Sequence, residues 1–165
     1  MTVEMELVGV RVQMPTNAPI LLLREATGTR RTVPIYIGGP EAHAIDLALS
    51  GQPTPRPMTH DLFVTVIDGL GATLDHVVVT ELRQGTYYAE IVLRVGDGSE
   101  HRFSARTSDA VALAVRAHAP ILANEALVDE AGIDEEPDES EDEAEQMVEE
   151  LRKFLDQANP DDFKS

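Results

Sequence analysis

VPIYIGGPEAHAIDLAL, from Val33 to Leu49, changes its apolar period part-way along. Val33, Ile35 and Ile37 recur at every second position, the period of a strand, so Thr32–Ile37 reads as one. Beyond Gly38 and Gly39, Ala44, Ile45, Ala48 and Leu49 recur at helical spacing and form one apolar face. Pro40 suits the first turn of that helix, where its missing N–H has no intrahelical partner to lose. Gly51 supplies the residue that closes it.

Upstream, Val8, Val10 and Val12 alternate with Gly9 and Arg11, a half-buried strand. Pro19–Leu23 is a second strand, apolar enough to be buried on both faces. Downstream the same order returns. Leu74–Leu82 is a strand, Gly85 marks a turn, and Thr86–Val95 is the hairpin partner. Asp97-Gly98 is a hairpin turn signal, followed by a strand at His101–Ala105 and a helix at Ser108–Arg116. A shift of 68 positions lays Gly28 on Gly96, Val33–Ile37 on His101–Ala105, and Glu41 on Asp109. The identities are few, so this is a weak internal duplication, β-β-β-α twice, carried by the order of elements. Strands grouped ahead of helices imply an α+β fold, a mixed or antiparallel sheet with helices packed on it.

Prolines at 53, 55 and 57 make the segment between the halves stiff, extended and non-helical. Thr59 is expected to cap the next helix, with Asp61 in its first turn and Leu62, Phe63, Val66, Ile67 and Leu70 along one face. The composition changes after Ile133. The chain has 165 residues and a formal net charge of −17. Residues 1–133 hold ten Arg, no Lys and 16 acids, a net of −6, whereas residues 134–165 hold three bases and 14 acids, a net of −11. Three segments follow: a folded domain over 1–133, an acidic flexible linker over 134–144, and a C-terminal helix and tail over 145–165. The linker has too little apolar surface to offset its ordering entropy. In the last segment, Met147, Val148, Leu151, Phe154 and Leu155 make Glu145–Gln157 a short amphipathic helix.

With no cysteine, a disulfide framework, a Cys-ligated metal and a thiol nucleophile are excluded. The apolar runs are too short to span a bilayer, and Met1–Glu6 has neither the basic nor the apolar region of a secretory signal. A cytoplasmic protein with no membrane partner is expected. The total charge argues against a passive basic nucleic-acid binder. Its concentration in the tail lifts that objection from the core, provided that the ten arginines cluster or that metal ions supply positive charge.

Three helices begin with an acid in the first turn: Glu41, Asp61 and Asp109. Each stabilises its own helix dipole. Together they would also suit a carboxylate cluster for a hard divalent cation, Mg²⁺ or Mn²⁺, at a phosphodiester. His60 can move a proton near neutral pH, and Arg56, in the stiff segment, can clamp a phosphate. Arg106, Thr107 and Ser108 place a second polar cluster at a helix start, where free N–H groups favour anions. His43, two residues from Glu41 on the same helix, should point elsewhere, and His76 and His101 should sit on exposed strand faces. No P-loop, dinucleotide fingerprint, nucleophile elbow or EF-hand loop is present.

The segments VPIYIGGPEAHAIDLAL, PRPMTHDL, GTYYAEIVL, ARTSDAVALAVRAHAPI and LVDEAGI, in unbroken order between Val3 and Ile133, resemble the bifunctional nuclease domain family. The resemblance implies an α+β fold, a compact homodimer, and hydrolysis of DNA and RNA phosphodiesters. The motif positions it carries over are Glu41, Arg56, His60, Asp61, Arg106, Ser108 and Asp109. The expectation is therefore a divalent-metal-assisted nuclease. Glu41, Asp61 and Asp109 would hold the metal, His60 would move the proton, and Arg56, Arg106 and Ser108 would bind the substrate. The alternative is a non-enzymatic dimeric regulatory or adaptor module in which these segments serve packing.

Overall fold

The computed structural model describes residues 1–134. The first β-β-β-α unit is β1 (Thr2–Gln13), β2 (Ala18–Glu25), β3 (Thr32–Tyr36) and α1 (Gly39–Ser50). After α2 (Thr59–Gly69) comes the second: β4 (Thr73–Arg83), β5 (Thr86–Arg94), β6 (Glu100–Arg106) and α3 (Thr107–Ala117). Each unit's three strands form an antiparallel meander. The chain then adds β7 (Ile121–Asn124) and α4 (Glu125–Ala131). The fold is α+β, with one seven-stranded mixed sheet in the order β3-β2-β1-β7-β4-β5-β6. No described helix is long and apolar enough to cross a membrane.

Sequence patterning did not disclose β7 and α4. Four residues after Pro120 are too few to display a period. Yet β7 occupies the centre of the sheet. It pairs antiparallel with β1 (Met5 opposite Ile121) and parallel with β4 (Val77 opposite Ile121, Val79 opposite Ala123). The Asn124 side-chain amide donates to the Thr80 carbonyl at 2.7 Å, fixing the end of that pairing. Leu21, Leu23, Val33, Ile35, Val77 and Val79 turn one sheet face towards the helices, where they meet Ile45, Val111 and Val128. Burying such side chains is the main favourable term in folding. α3 is the most deeply set helix, with Val111, Ala112 and Ala114 almost wholly excluded from solvent.

Several local expectations need correction. β2 is not buried on both faces: Leu21, Leu23 and Glu25 are buried, while Ile20, Leu22 and Arg24 are only half-buried. His76 is not on an open face; its side chain is 17 % exposed and lies 2.7 Å from the Asp75 carboxylate. The expected acidic linker beyond Asp134 and the C-terminal helix lie outside the described residues.

A polar tie closes the β3 edge. Glu25 is buried and accepts from Thr29 Oγ1 (2.7 Å), from the Arg31 backbone N–H (2.9 Å) and from the Arg31 guanidinium (2.9 and 3.1 Å). Arg31 Nη1 continues to Asp129 on α4 at 2.9 Å. Arg31, outweighing the opposing effect of burial and helped by Thr29, lowers the Glu25 pKa from 4.5 to about 2. A depressed carboxylate stabilises the fold at pH values above its unfolded pKa, and that contribution is lost as pH falls through the folded value. Glu25→Gln should therefore cost about 2 kcal/mol of unfolding free energy at neutral pH. Denaturant titrations of both proteins should show that gap constant above 4.5 and closing as pH falls towards about 2. A gap that does not change with pH would assign the stabilisation to packing instead.

Candidate active site

The stiff segment before α2 ends at Met58, whose extended backbone (φ −77°, ψ 172°) turns the chain into the helix. Thr59, the expected cap, is already the first helical residue. Asp61 caps instead, its Oδ2 accepting the Met58 N–H at 2.8 Å. Successive residues point about 100° apart around a helix, so His60 and Asp61 must face different neighbours. His60 Nε2 lies 2.9 Å from Asp109 Oδ1. Asp61 Oδ1 accepts from Arg116 Nε at 2.6 Å.

Asp109 sits in the first turn of α3, and Arg106 is the residue before that helix. Arg106 forks onto its carboxylate, Nε to Oδ2 at 2.7 Å and Nη2 to Oδ1 at 3.1 Å. The third nitrogen, Nη1, reaches Glu41 Oε1 on α1 at 2.9 Å. Glu41 lies back over Gly38, where any side chain would collide with its carboxylate. Glu41 and Asp109, equivalent in the repeat, thus hold one guanidinium between them. Burial opposes ionisation of Asp109, but Arg106 and then His60 outweigh it and hold the pKa below the ordinary value. Asp109, and after it Glu41, raise the pKa of Arg106.

These groups line one end of a cleft of about 960 Å³ between α1, α2, α3 and the β5–β6 hairpin. That polar end holds Glu41, His60, Arg106 and Asp109, which contact one another. The rest is mostly apolar, with Phe63, Val66, Leu93, Phe103 and Leu113 among its walls. Phe63 and Phe103 are each about half exposed. His43, expected to point away from Glu41, lines the same cleft.

The other expected site residues stand elsewhere. Asp61 lines a separate depression of about 220 Å³ with Gln52, Thr54 and Arg116. Its pKa is lowered by Arg116 and then by the Met58 N–H. Arg56 is exposed and lines neither cavity, and Ser108 is buried in α3 away from the cleft. The three carboxylates expected to share a metal are therefore not gathered. Among the described residues no group of three His, Asp or Glu side chains could hold a metal ion. A guanidinium already bridges Glu41 and Asp109, so the residues do not fit a resident divalent ion. Nor do the arginines cluster: Arg106 alone lines the cleft, while Arg30, Arg31, Arg94 and Arg102 pair with acids elsewhere. Sequence reasoning missed Arg116. Its seven-residue spacing from Asp109 on one helix was the available signal, two turns apart on one face.

Comparison with known proteins identifies the family. The bifunctional nuclease domain profile matches residues 21–136, starting within β2. Uncharacterized proteins from two strains of Mycobacterium tuberculosis are 45 % identical over 167 residues, 98 % of each chain. Bifunctional nuclease 2 of Oryza sativa subsp. japonica is 30 % identical over 127 residues, 76 % of this chain but 39 % of that protein. Bifunctional nuclease 2 of Arabidopsis thaliana is 30 % identical over 118 residues, 69 % of this chain and 36 % of that one. With the profile covering most of the described sheet and helices, the chain belongs to the bifunctional nuclease domain family.

Proposed function

We propose that the chain hydrolyses phosphodiester bonds of single-stranded or flexible DNA and RNA at the polar end of this cleft. The observation that carries the reading is His60 hydrogen-bonded to Asp109 beside an exposed Arg106, at the end of a cleft walled by Phe63 and Phe103. An ionised Asp109 places the imidazole proton on Nε2, leaving the Nδ1 lone pair as the base. Nδ1 takes a proton from water as the water oxygen bonds to phosphorus. The bond to the leaving oxygen breaks, and that oxygen takes its proton from solvent. Arg106, with its side chain 65 % exposed, exchanges Glu41 for a non-bridging phosphate oxygen while its fork stays on Asp109. Phe63 and Phe103 offer faces on which unpaired bases stack.

His60→Ala should lower cleavage of both DNA and RNA by about 10²–10⁴-fold, the usual contribution of acid–base catalysis. Unchanged cleavage in that variant would overturn the reading. The rival, a non-enzymatic adaptor, draws support from Leu62 on α2 and Leu70 just after it, which are 54 % and 81 % exposed. A purified wild-type protein that cleaves neither nucleic acid would favour it. With one cleft arginine, binding of an oligothymidylate to His60→Ala should weaken with salt at a log–log slope of about −0.7. A slope several times steeper would place the nucleic acid on another surface. Because Arg106 already bridges Glu41 and Asp109, calorimetric titration of Mg²⁺ or Mn²⁺ into the protein alone should give no saturable binding. Saturable binding abolished by Glu41→Gln would restore a resident metal.

A further inference from the structure

α2 carries His60, yet apolar packing holds this helix poorly. Of its residues only Ile67 is buried, and Leu62, Phe63 and Val66 are each about half exposed. The segment before it is neither helix nor strand. Its first turn is held by polar contacts to α3, made two turns apart on that deeply buried helix. Asp109 meets His60, and Arg116 meets Asp61.

Arg116 is fully committed to this tie. Its side chain is 9 % exposed. Nε donates to Asp61, Nη1 to the Ala112 carbonyl at 2.9 Å, and Nη2 to the Ala44 carbonyl on α1 at 2.9 Å. Asp61 uses its second oxygen on the Met58 N–H, the start of α2. One guanidinium thus fixes α1, α3 and the first turn of α2 together, and the residue it grips is the direct neighbour of His60. A fork that spends each donor group on a fixed acceptor is a stiff connection.

We propose that Arg116, acting through Asp61, is a positioning residue that sets His60 against Asp109. This rests on His60 and Asp109 being the proton-transfer pair, but the contact can be observed without any reaction. The imidazole N–H bonded to Asp109 should give a downfield, slowly exchanging proton resonance in the full-length protein. His60→Ala identifies it by its loss, and Asp109→Ala should remove it too. Arg116→Met should remove it or speed its exchange many-fold while the protein stays folded by circular dichroism. Asp61→Asn, which leaves the bonds from Arg116 to Ala44 and Ala112 possible, should do the same and serves if Arg116→Met does not fold.

Kinetics give the second readout. Arg116→Met should lower kcat by about 10²-fold, as a small displacement of a catalytic group does, with little change in KM. In a His60→Ala background the same substitution should cost nothing further, whereas a merely structural role would cost as much again. An unchanged resonance in a folded variant, or equal kinetic losses in both backgrounds, overturns the proposal. Loss of the resonance in a protein that never cleaved nucleic acid would leave the tie standing and remove the nuclease reading alone.

Discussion

The four residues of β7 bear the main constraint on this fold. Two antiparallel meanders of three strands each have their own hydrogen bonds, but none that joins one to the other. β7 supplies the join, antiparallel to β1 on one side and parallel to β4 on the other. A strand inserted between two others gives their facing backbone groups ladder partners, along Thr2–Met5 of β1 and Val77–Val79 of β4, and buried backbone groups must find one. The parallel pairing also dictates a crossover. The chain must return from β6, the far edge, to the middle of the sheet, and α3 is the element that carries it back. That is why α3 lies deepest in the helical layer, with Ala110, Ala112 and Ala114 among its buried residues.

The site inherits its geometry from that crossover. α3 presents Asp109 and Arg116 on one face, an acid and a base two turns apart, and the first turn of α2 answers with His60 and Asp61 in the opposite sense. Like charges never face one another across this contact. Arg106 then closes the open side by holding Glu41 and Asp109 together. With a neutral imidazole the cluster is net negative by one charge, so an arriving phosphate must draw Arg106 away from one carboxylate. The −17 of the whole chain bears little on this balance, because most of it lies after Ile133. Several arginines of the folded part are dispersed in exposed ion pairs, such as Arg30 with Glu6 and Arg102 with Glu90, and such pairs each contribute little to stability.

Six of the seven strands, the two repeated units and three of the four helices were legible in the sequence because each shows enough of its period. β7 and α4 were not, since a short segment gains its structure from neighbours supplied by distant parts of the chain. In the site, Glu41, His60, Arg106 and Asp109 were legible as chemistry and do share a cleft. Asp61 was expected there and points instead to Arg116, because adjacent helical residues cannot share a direction. Ser108 was expected to bind substrate at the start of α3 and is buried. Glu25 and Arg31, separated by a turn, gave no signal of the tie they form, which Arg31 extends to Asp129 on α4.

The sequence by itself determined the α+β class, the doubled order of elements, the family and the separation of a strongly acidic tail from a core of net charge −6. These are local or compositional properties: period, turn chemistry and charge count read along the chain. The tertiary structure alone decided the sheet order, the partner of each carboxylate and the direction in which each site residue points. Those depend on which distant segments meet. Only a folded backbone fixes whether an acid at a helix start faces a base, a cleft or a second acid.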